Sequence, residues 1–429
     1  MAFSKDFLWC AGGAAAQQDG GYLDGGKGLN IWDVSEGHIN NNDTCHVACD
    51  HFHRWKDDFK LLKEIGVTSY RFSVSPARIY PKDEFYVNKE GVDFYINIVN
   101  ELVSLGIEPI CTLYHWDMPL WLHERGGWKT GLSVEWFERF TRTVVEAIGD
   151  KVKYWLTFNE PQCFVGLGYE KGFHAPFEKV EPAEIINISK NVMFAHGKAV
   201  DVIRKYAKKK PMISFAPTAS TWIPSAHLSE DEAYDRTFDT KYFGVFSAAW
   251  WCDPILLGKA PKGCDWLTKE ELKAIHRPLD YCAYNIYYAE NGNDADFEYP
   301  GRPRTTMGWA INPECIYYAT KFFHKRYGLP VMITENGMAN IDFVYADGRI
   351  HDPQRSEYIR NHIKQLKRAN DEGVPVIGYA CWCFLDNFEW CFGYSQRFGL
   401  VYVDYTTQKR ILKDSAYVYR DIIKANGEI

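Results

Sequence analysis

Short apolar runs and helically spaced stretches alternate along almost the whole chain, and this alternation limits the fold more than any single motif. Eight runs read as strands: "FLWCAGGA", "SYRFSV", "EPICTLYH", "YWLTFNE", "MISFAP", "YCAYNIYY", "VMITEN" and "VIGYACWCFLD". Their near-continuous apolar character suits strands covered on both faces. Between them, "RWKDDFKLLKEIG" (54–66) sets Trp55, Phe59, Leu62 and Ile65 on one stripe and stops at Gly66. "GVDFYINIVNELVSLG" (91–106) repeats the pattern with Val92, Tyr95, Val99 and Leu102. Strand–helix alternation predicts a parallel sheet with right-handed crossovers. Eight such units close into a barrel, and 429 residues hold one barrel with long loops. The expectation is therefore an α/β chain forming a single (β/α)8 TIM barrel over residues 1–429. An open doubly wound sheet would call for a G-x-G-x-x-G loop after the first strand, and "CAGGAAAQQDGG" lacks that spacing.

Two of the runs end on a glutamate. "YWLTFNEP" delivers Asn159 and Glu160 before Pro161, and "VMITENG" delivers Glu335 before Asn336. In a barrel the carboxyl ends of the strands line one mouth, so Glu160 and Glu335 are expected to face each other. A carboxyl pair across a pocket suits glycoside hydrolysis, one as general acid and the other as nucleophile or base. A gap of about 5–5.5 Å gives retention and a wider one admits water and gives inversion. Other strand ends add Arg71, His115, Trp116, Asn285, Tyr287, Trp382, Glu389 and Trp390. Amides, an imidazole, carboxylates and tryptophans together suit a neutral polyhydroxylated ligand, whose hydroxyls need donors and acceptors and whose apolar face needs a ring.

The charge balance of −7 argues against sequence-independent nucleic-acid binding, which needs a basic face. "MAFSKDFLWC" lacks the basic run and long apolar core of a leader, and no apolar run reaches bilayer length. A cytoplasmic location without membrane association is the expectation, and a homo-oligomer is compatible with the sequence. Twelve cysteines are scattered, several inside strand-like runs (Cys111, Cys282, Cys381, Cys383), as reduced core cysteines are. "CHVACDHFH" groups Cys45, His46, Cys49, His51 and His53. It lacks the second ligand pair of a structural zinc site, so it is read as a loop, with Asp50 near the start of a helix beginning around Arg54. No metal and no cofactor are expected.

The motifs together resemble glycoside hydrolase family 1, the β-glucosidase family, from "FLWCAGGAAAQQDGG" to "LKDSAYVYRDII". The matching blocks include "ACDHFHRWKDDFKLLKEIGVTSYRFSVS", "LYHWDMPLWL", "TFNEP", "MGWAINPE", "ITENG", "DNFEW", "GYSQRFGLVYVDY" and "RILKDSA". The resemblance implies a (β/α)8 barrel and a retaining mechanism, with Glu160 as acid/base and Glu335 as nucleophile. It assigns Arg71 and Tyr287 as partners of the nucleophile and Asn159 as the contact to the sugar 2-hydroxyl. The glycone pocket carries over as Gln17, His115, Trp382, Glu389 and Trp390, with Phe398 lining it; apart from the resemblance, Trp309 beside "MG" is read as a wall for the second sugar, with plain packing as the alternative. Gln17 and Glu389 would bind adjacent hydroxyls, and Trp382 would lie under the ring.

The chain departs from the family pattern at Cys10 (usually Gly), Ala16 (Tyr), Asp19 (Glu) and Pro76 (Trp). These lie beside Gln17 and Arg71 and bear on the shape of the glycone pocket. The phospho-β-glucosidase branch holds a sugar 6-phosphate with a Lys and a Tyr where this chain has Gln396 and Phe398, and Glu389 stands where that phosphate would sit. An unphosphorylated β-D-glucoside or short β-linked oligosaccharide is the expected substrate. β-Galactosidase or β-fucosidase activity of broad specificity is the alternative, followed by 6-phospho-β-glucosidase. A non-catalytic sugar-binding barrel would have lost a glutamate, and both are present. The leaving-group side falls to loops 173–182, 219–232 and 289–306.

Overall fold

The computed structural model describes residues 2–292 and 301–428. All eight expected runs form strands: β1 (Leu8–Gly12), β2 (Ser69–Ser73), β3 (Glu108–Tyr114), β4 (Tyr154–Asn159), β5 (Met212–Ala216), β6 (Cys282–Asn285), β7 (Val331–Asn336) and β8 (Val376–Trp382). Every pairing is parallel, in the order β5-β4-β3-β2-β1-β8-β7-β6. Beyond β5, Pro217 O accepts from Asn285 N at 2.9 Å and Ala219 N donates to Asn285 O at 2.9 Å, which brings β6 round to β5. The sheet is thereby closed into a (β/α)8 barrel.

Alternation along the strands sorts the core into two layers. Leu8, Cys10, Ile110, Leu156, Ala216, Ala283, Met332 and Ala380 fill the barrel interior. Their neighbours, among them Trp9, Phe72, Trp155, Phe215, Tyr284, Ile333 and Tyr379, pack outward in the main hydrophobic core. Cys10 is thus an interior residue, and Pro76 opens the short helix Pro76–Ile79.

Both stripes read from the sequence are helices, His51–Ile65 and Lys89–Ser104. The first begins three residues before the expected Arg54, because Asp50 turns the chain at φ 52° and its carboxylate accepts from His53 and Arg54 at 2.6 and 2.8 Å. The neighbouring side chains are engaged separately. Cys45 faces Asp33, His46 meets the Asp33 carbonyl, Cys49 donates to the Asp386 carbonyl, and His51 pairs with Asp58 at 2.8 Å. All twelve cysteines are free thiols. Among the described residues no helix is long and apolar enough to cross a membrane. A short antiparallel hairpin, β9 (Val401–Val403) with β10 (Arg410–Leu412), follows the barrel.

Candidate active site

The strand ends that carry the chemistry are irregular. Pairing of β4 with β5 shifts register between Leu156 and Asn159, β6 with β7 between Tyr284 and Asn285, and β7 with β8 between Ile333 and Asn336. An extra residue in a ladder bends the strand and re-aims the side chains that follow. Here it turns Asn159, Asn285 and Glu335 toward the mouth. Glu160 follows at φ 42°, a left-handed conformation costly for a residue with a side chain, pinned by its N–H to Ala216 O at 2.7 Å. The next residues, Gln162–Glu170, form a π-helical segment closed by Lys171 N to Gly166 O at 2.9 Å.

The two glutamates have different partners. Glu335 Oε1 accepts from Arg71 Nη1 at 2.5 Å and Oε2 from the Tyr287 hydroxyl at 2.7 Å. Arg71 is itself fixed, donating to Asn159 Oδ1 at 2.7 Å, to the Thr334 carbonyl at 2.9 Å and to Thr112 Oγ1 at 3.1 Å. Glu160 Oε1 accepts from a neutral group, Asn285 Nδ2, at 2.8 Å. The Asn285 amide also donates to Asn159 Oδ1 at 2.9 Å and is oriented by Thr334 Oγ1 at 2.7 Å. One guanidinium therefore serves one carboxylate directly, and an amide serves the other.

That asymmetry decides which carboxyl ionises first. Burial raises both. For Glu335 the adjacent Arg71 charge and the Tyr287 hydroxyl oppose the rise. Glu160 is pushed up to about 7 by burial and then by the charge of Glu335. The pair titrates as a unit, with the first ionisation belonging to the member beside Arg71.

The other expected residues converge on the same cavity of about 810 Å³, lined by His115, Trp116, Asn159, Asn285, Tyr287, Trp309, Trp382, Glu389, Trp390 and Phe398 together with both glutamates. Burial and the nearby Arg71 charge hold the His115 imidazole neutral, and its Nε2 accepts from Asn159 Nδ2 at 3.1 Å. The His115 ring is near-parallel to Trp382 at 5.8 Å and to Trp390 at 5.9 Å. Trp116 takes a partly structural role: its Nε1 donates to the Asn159 carbonyl at 2.9 Å, and its ring packs on Trp390 at 4.5 Å. Trp309 lies 5.1 Å from Tyr287 and 6.0 Å from Phe398, forming one side wall.

Gln17 is fully buried behind the cavity and reaches it through Glu389. Its Nε2 donates to the Phe388 carbonyl at 3.0 Å and to Glu389 Oε2 at 3.4 Å, while its Oε1 is buried without a hydrogen-bond partner. An unpaired buried acceptor costs free energy. Burial and the fields of Glu335 and Glu160 push the Glu389 pKa up to about 8. Three carboxyls, Glu160, Glu335 and Glu389, line this one cavity, and only Glu335 is paired with Arg71.

Sequence reasoning missed several lining residues. Gln162 and Cys163 follow the TFNEP block on the π-helical segment, whose period has no sequence signature. Gln162 locks that segment to the end of β5, donating to Thr218 O at 3.0 Å and accepting from Thr218 N at 3.3 Å. His174 and Ser220 come from loops 173–182 and 219–232 as expected, whereas Tyr242 and Phe246 come from a segment the sequence did not mark. Of loop 289–306, residues 293–300 lie outside the described residues.

Comparisons with known proteins agree with this geometry across the chain. The family model described as glycosyl hydrolase family 1 matches residues 1–428. Beta-glucosidase A of Acetivibrio thermocellus is 37% identical, covering 100% of this chain and 99% of its own length. The bifunctional beta-D-glucosidase/beta-D-fucosidase of Bifidobacterium breve is 36% identical, covering 99% and 98%. The solved structure of beta-glucosidase from Thermotoga maritima in complex with noeuromycin superposes with a TM-score of 0.92 at 38% identity, covering 100% of both chains. With strand-end glutamates, barrel closure and whole-length similarity all in agreement, the chain belongs to glycosyl hydrolase family 1.

Proposed function

We propose that the protein is a retaining β-D-glycosidase that removes a terminal β-D-glucosyl unit, with Glu335 as nucleophile and Glu160 as acid/base. The observation that carries this reading is the unequal support of the two carboxyls, a guanidinium and a phenol on Glu335 against an amide on Glu160. In the first step Glu335 attacks the anomeric carbon, the glycosidic C–O bond breaks, and Glu160 gives its proton to the leaving oxygen. Forming the ester removes the Glu335 charge, so the Glu160 pKa falls and its carboxylate takes a proton from the incoming water. Water then attacks the anomeric carbon, releasing Glu335 and a sugar of the original configuration. Asn159, held by Arg71 and Asn285, is placed to meet the 2-hydroxyl, with Trp382 and Trp390 as the apolar platform and Gln17 with Glu389 at the far hydroxyls.

Glucose as the preferred sugar is supported by the relatives named as beta-glucosidases, and the bifunctional relative makes fucose the second candidate. A sugar 6-phosphate is disfavoured because Gln396 and Phe398 stand where that branch holds the phosphate with a Lys and a Tyr. Gln396 is neutral and its amide oxygen is taken by Thr306 at 2.6 Å, and Arg71 is held by Glu335, so neither offers a phosphate dianion a free cation. The free thiols fit a reducing compartment such as the cytoplasm.

Initial rates on nitrophenyl β-D-glucoside, galactoside, fucoside, xyloside and glucoside 6-phosphate test the reading. Glucoside or fucoside should lead and the 6-phosphate trail. A protein inert toward all five is a sugar-binding barrel instead.

The pH profile tests the proton assignment. Glu160 must hold its proton for the first step, so kcat/KM on a poor leaving group should be lost as pH rises through about 7. With a dinitrophenolate leaving group, which departs without help, that alkaline limb should flatten. An alkaline limb that survives unchanged in Glu160→Gln would assign it to another group.

A further inference from the structure

Behind the Glu389 side of the pocket lies a cluster of six ionised side chains. Lys413 Nζ sits 2.6 Å from Asp342 Oδ2 and 2.6 Å from Asp386 Oδ1. Arg355 pairs with Asp342 at 2.7 Å and also with Asp352, and Arg397 pairs with Asp386 at 2.7 Å. Three cations thus meet three anions, and the most exposed of the six side chains, Arg397, is only 16% exposed. Stability alone does not explain such a group, since well-packed apolar residues of the same volume are often as stable or more so.

What the cluster joins points to its role. Met338, three residues beyond Glu335, is gripped through its carbonyl by Arg355 Nε at 3.2 Å, and Asp342 continues the same segment. Asp386 lies three residues before Glu389, and its carboxylate also accepts from Gly399 N at 2.9 Å. Lys413 touches both segments at once. From the other side Gln17 clasps Phe388, accepting from its N–H and donating to its carbonyl, each at 3.0 Å. The loop bearing Glu389 and Trp390 is therefore suspended between Gln17 and the charge cluster, and the cluster is tied to the strand that carries Glu335.

We propose that this cluster sets the spacing between the Glu335 strand and the Glu389–Trp390 loop, and that Lys413 is a positioning residue for recognition of the sugar's C6 end. The proposal rests on the glycosidase reading above. Ionic contacts demand specific geometry, and two carboxylates bridged by one ammonium cannot drift independently.

Lys413→Met keeps the length of the side chain and removes the charge. With active sites counted by a dinitrophenyl 2-deoxy-2-fluoroglycoside, which stalls at the ester, kcat/KM for nitrophenyl β-glucoside should fall about 10- to 100-fold, mainly through KM. The matching β-xyloside, which has no hydroxymethyl group to place against Glu389, should lose much less. Lys413→Arg should restore much of the glucoside-to-xyloside ratio. Equal losses on the two sugars, or a lowered Tm with an unchanged ratio, would overturn the proposal and leave the cluster a purely structural one. If Lys413→Met does not fold, Arg397→Gln at the edge of the cluster gives the same decision from the same ratio. Turnover of the glucoside by the unmodified protein is the control. Its absence would defeat the glycosidase reading, whereas an unchanged ratio with turnover present would defeat only the positioning role.

Discussion

Glu335→Gln should lower kcat on nitrophenyl β-glucoside by at least about 10⁴-fold, the scale of loss when a covalent nucleophile is removed from an otherwise intact site. Glutamine preserves the shape and can still accept from Arg71, so binding should survive while the bond-forming atom is lost. A second signature separates this from general damage. Without the Glu335 charge, Glu160 loses the second-largest cause of its raised pKa, and its titration should move below about 7. In Glu335→Gly, which empties the space the carboxylate fills, a small anion such as azide should restore turnover and give a product of α configuration.

Glu160→Gln should behave differently on the same substrates. With a nitrophenol leaving group the loss should be about 10²- to 10⁴-fold, the usual worth of a positioned acid or base. With dinitrophenol the first step should proceed and the second stall, so a burst of phenol precedes slow turnover. Azide should then give a β product, because it enters from the side Glu160 serves. If the two variants exchanged these signatures, the nucleophile and acid assignments would have to be reversed.

The barrel was legible because buried parallel strands are apolar runs and their crossover helices carry one apolar stripe, so type and order survive errors at the ends. "FLWCAGGA" shortens to Leu8–Gly12 without changing the topology. The helix after Asp50 starts early because a left-handed Asp leaves no capping signature in the letters. The motif blocks named residues that the fold brings to one cavity. Their states were not legible, because those depend on groups far apart in the chain. Arg71 and Glu335 are separated by 264 positions, and the bulges that aim the strand ends have no composition of their own. Glu389 is the clearest case: its raised pKa comes from burial and from Glu335 and Glu160, which are far from it in the chain. The π-helical segment after Glu160 was also invisible, and with it Gln162, whose contacts to Thr218 are to backbone.

Arg71→Met should cost both activity and stability, and the stability loss should depend on pH. Arg71 and Glu335 are 2% and 4% exposed as side chains, so removing the cation leaves a buried carboxylate without its counter-charge. Breaking such a pair costs about 3–5 kcal/mol when the remaining group must stay charged. Glu335 can avoid that by taking up a proton, so its folded pKa should rise further above the value in the unfolded chain. A group of that kind binds more protons folded than unfolded, and stability then falls as pH rises above the unfolded carboxyl range. The gap in unfolding free energy between the unmodified protein and Arg71→Met should therefore be small near pH 4.5 and grow toward pH 8. The protonated acid is also a poor nucleophile, so kcat should drop by about 10²- to 10³-fold or more, with the acidic limb of the rate profile displaced upward. Arg71→Lys should recover part of the stability but little of the rate. An ammonium can neutralise Glu335, but its shorter, single-headed group cannot also hold Asn159 Oδ1 and the Thr334 carbonyl. Denaturant titrations at several pH values, read beside the rates, would separate the two roles. A pH-independent gap would mean that Arg71 serves packing rather than the charge of Glu335.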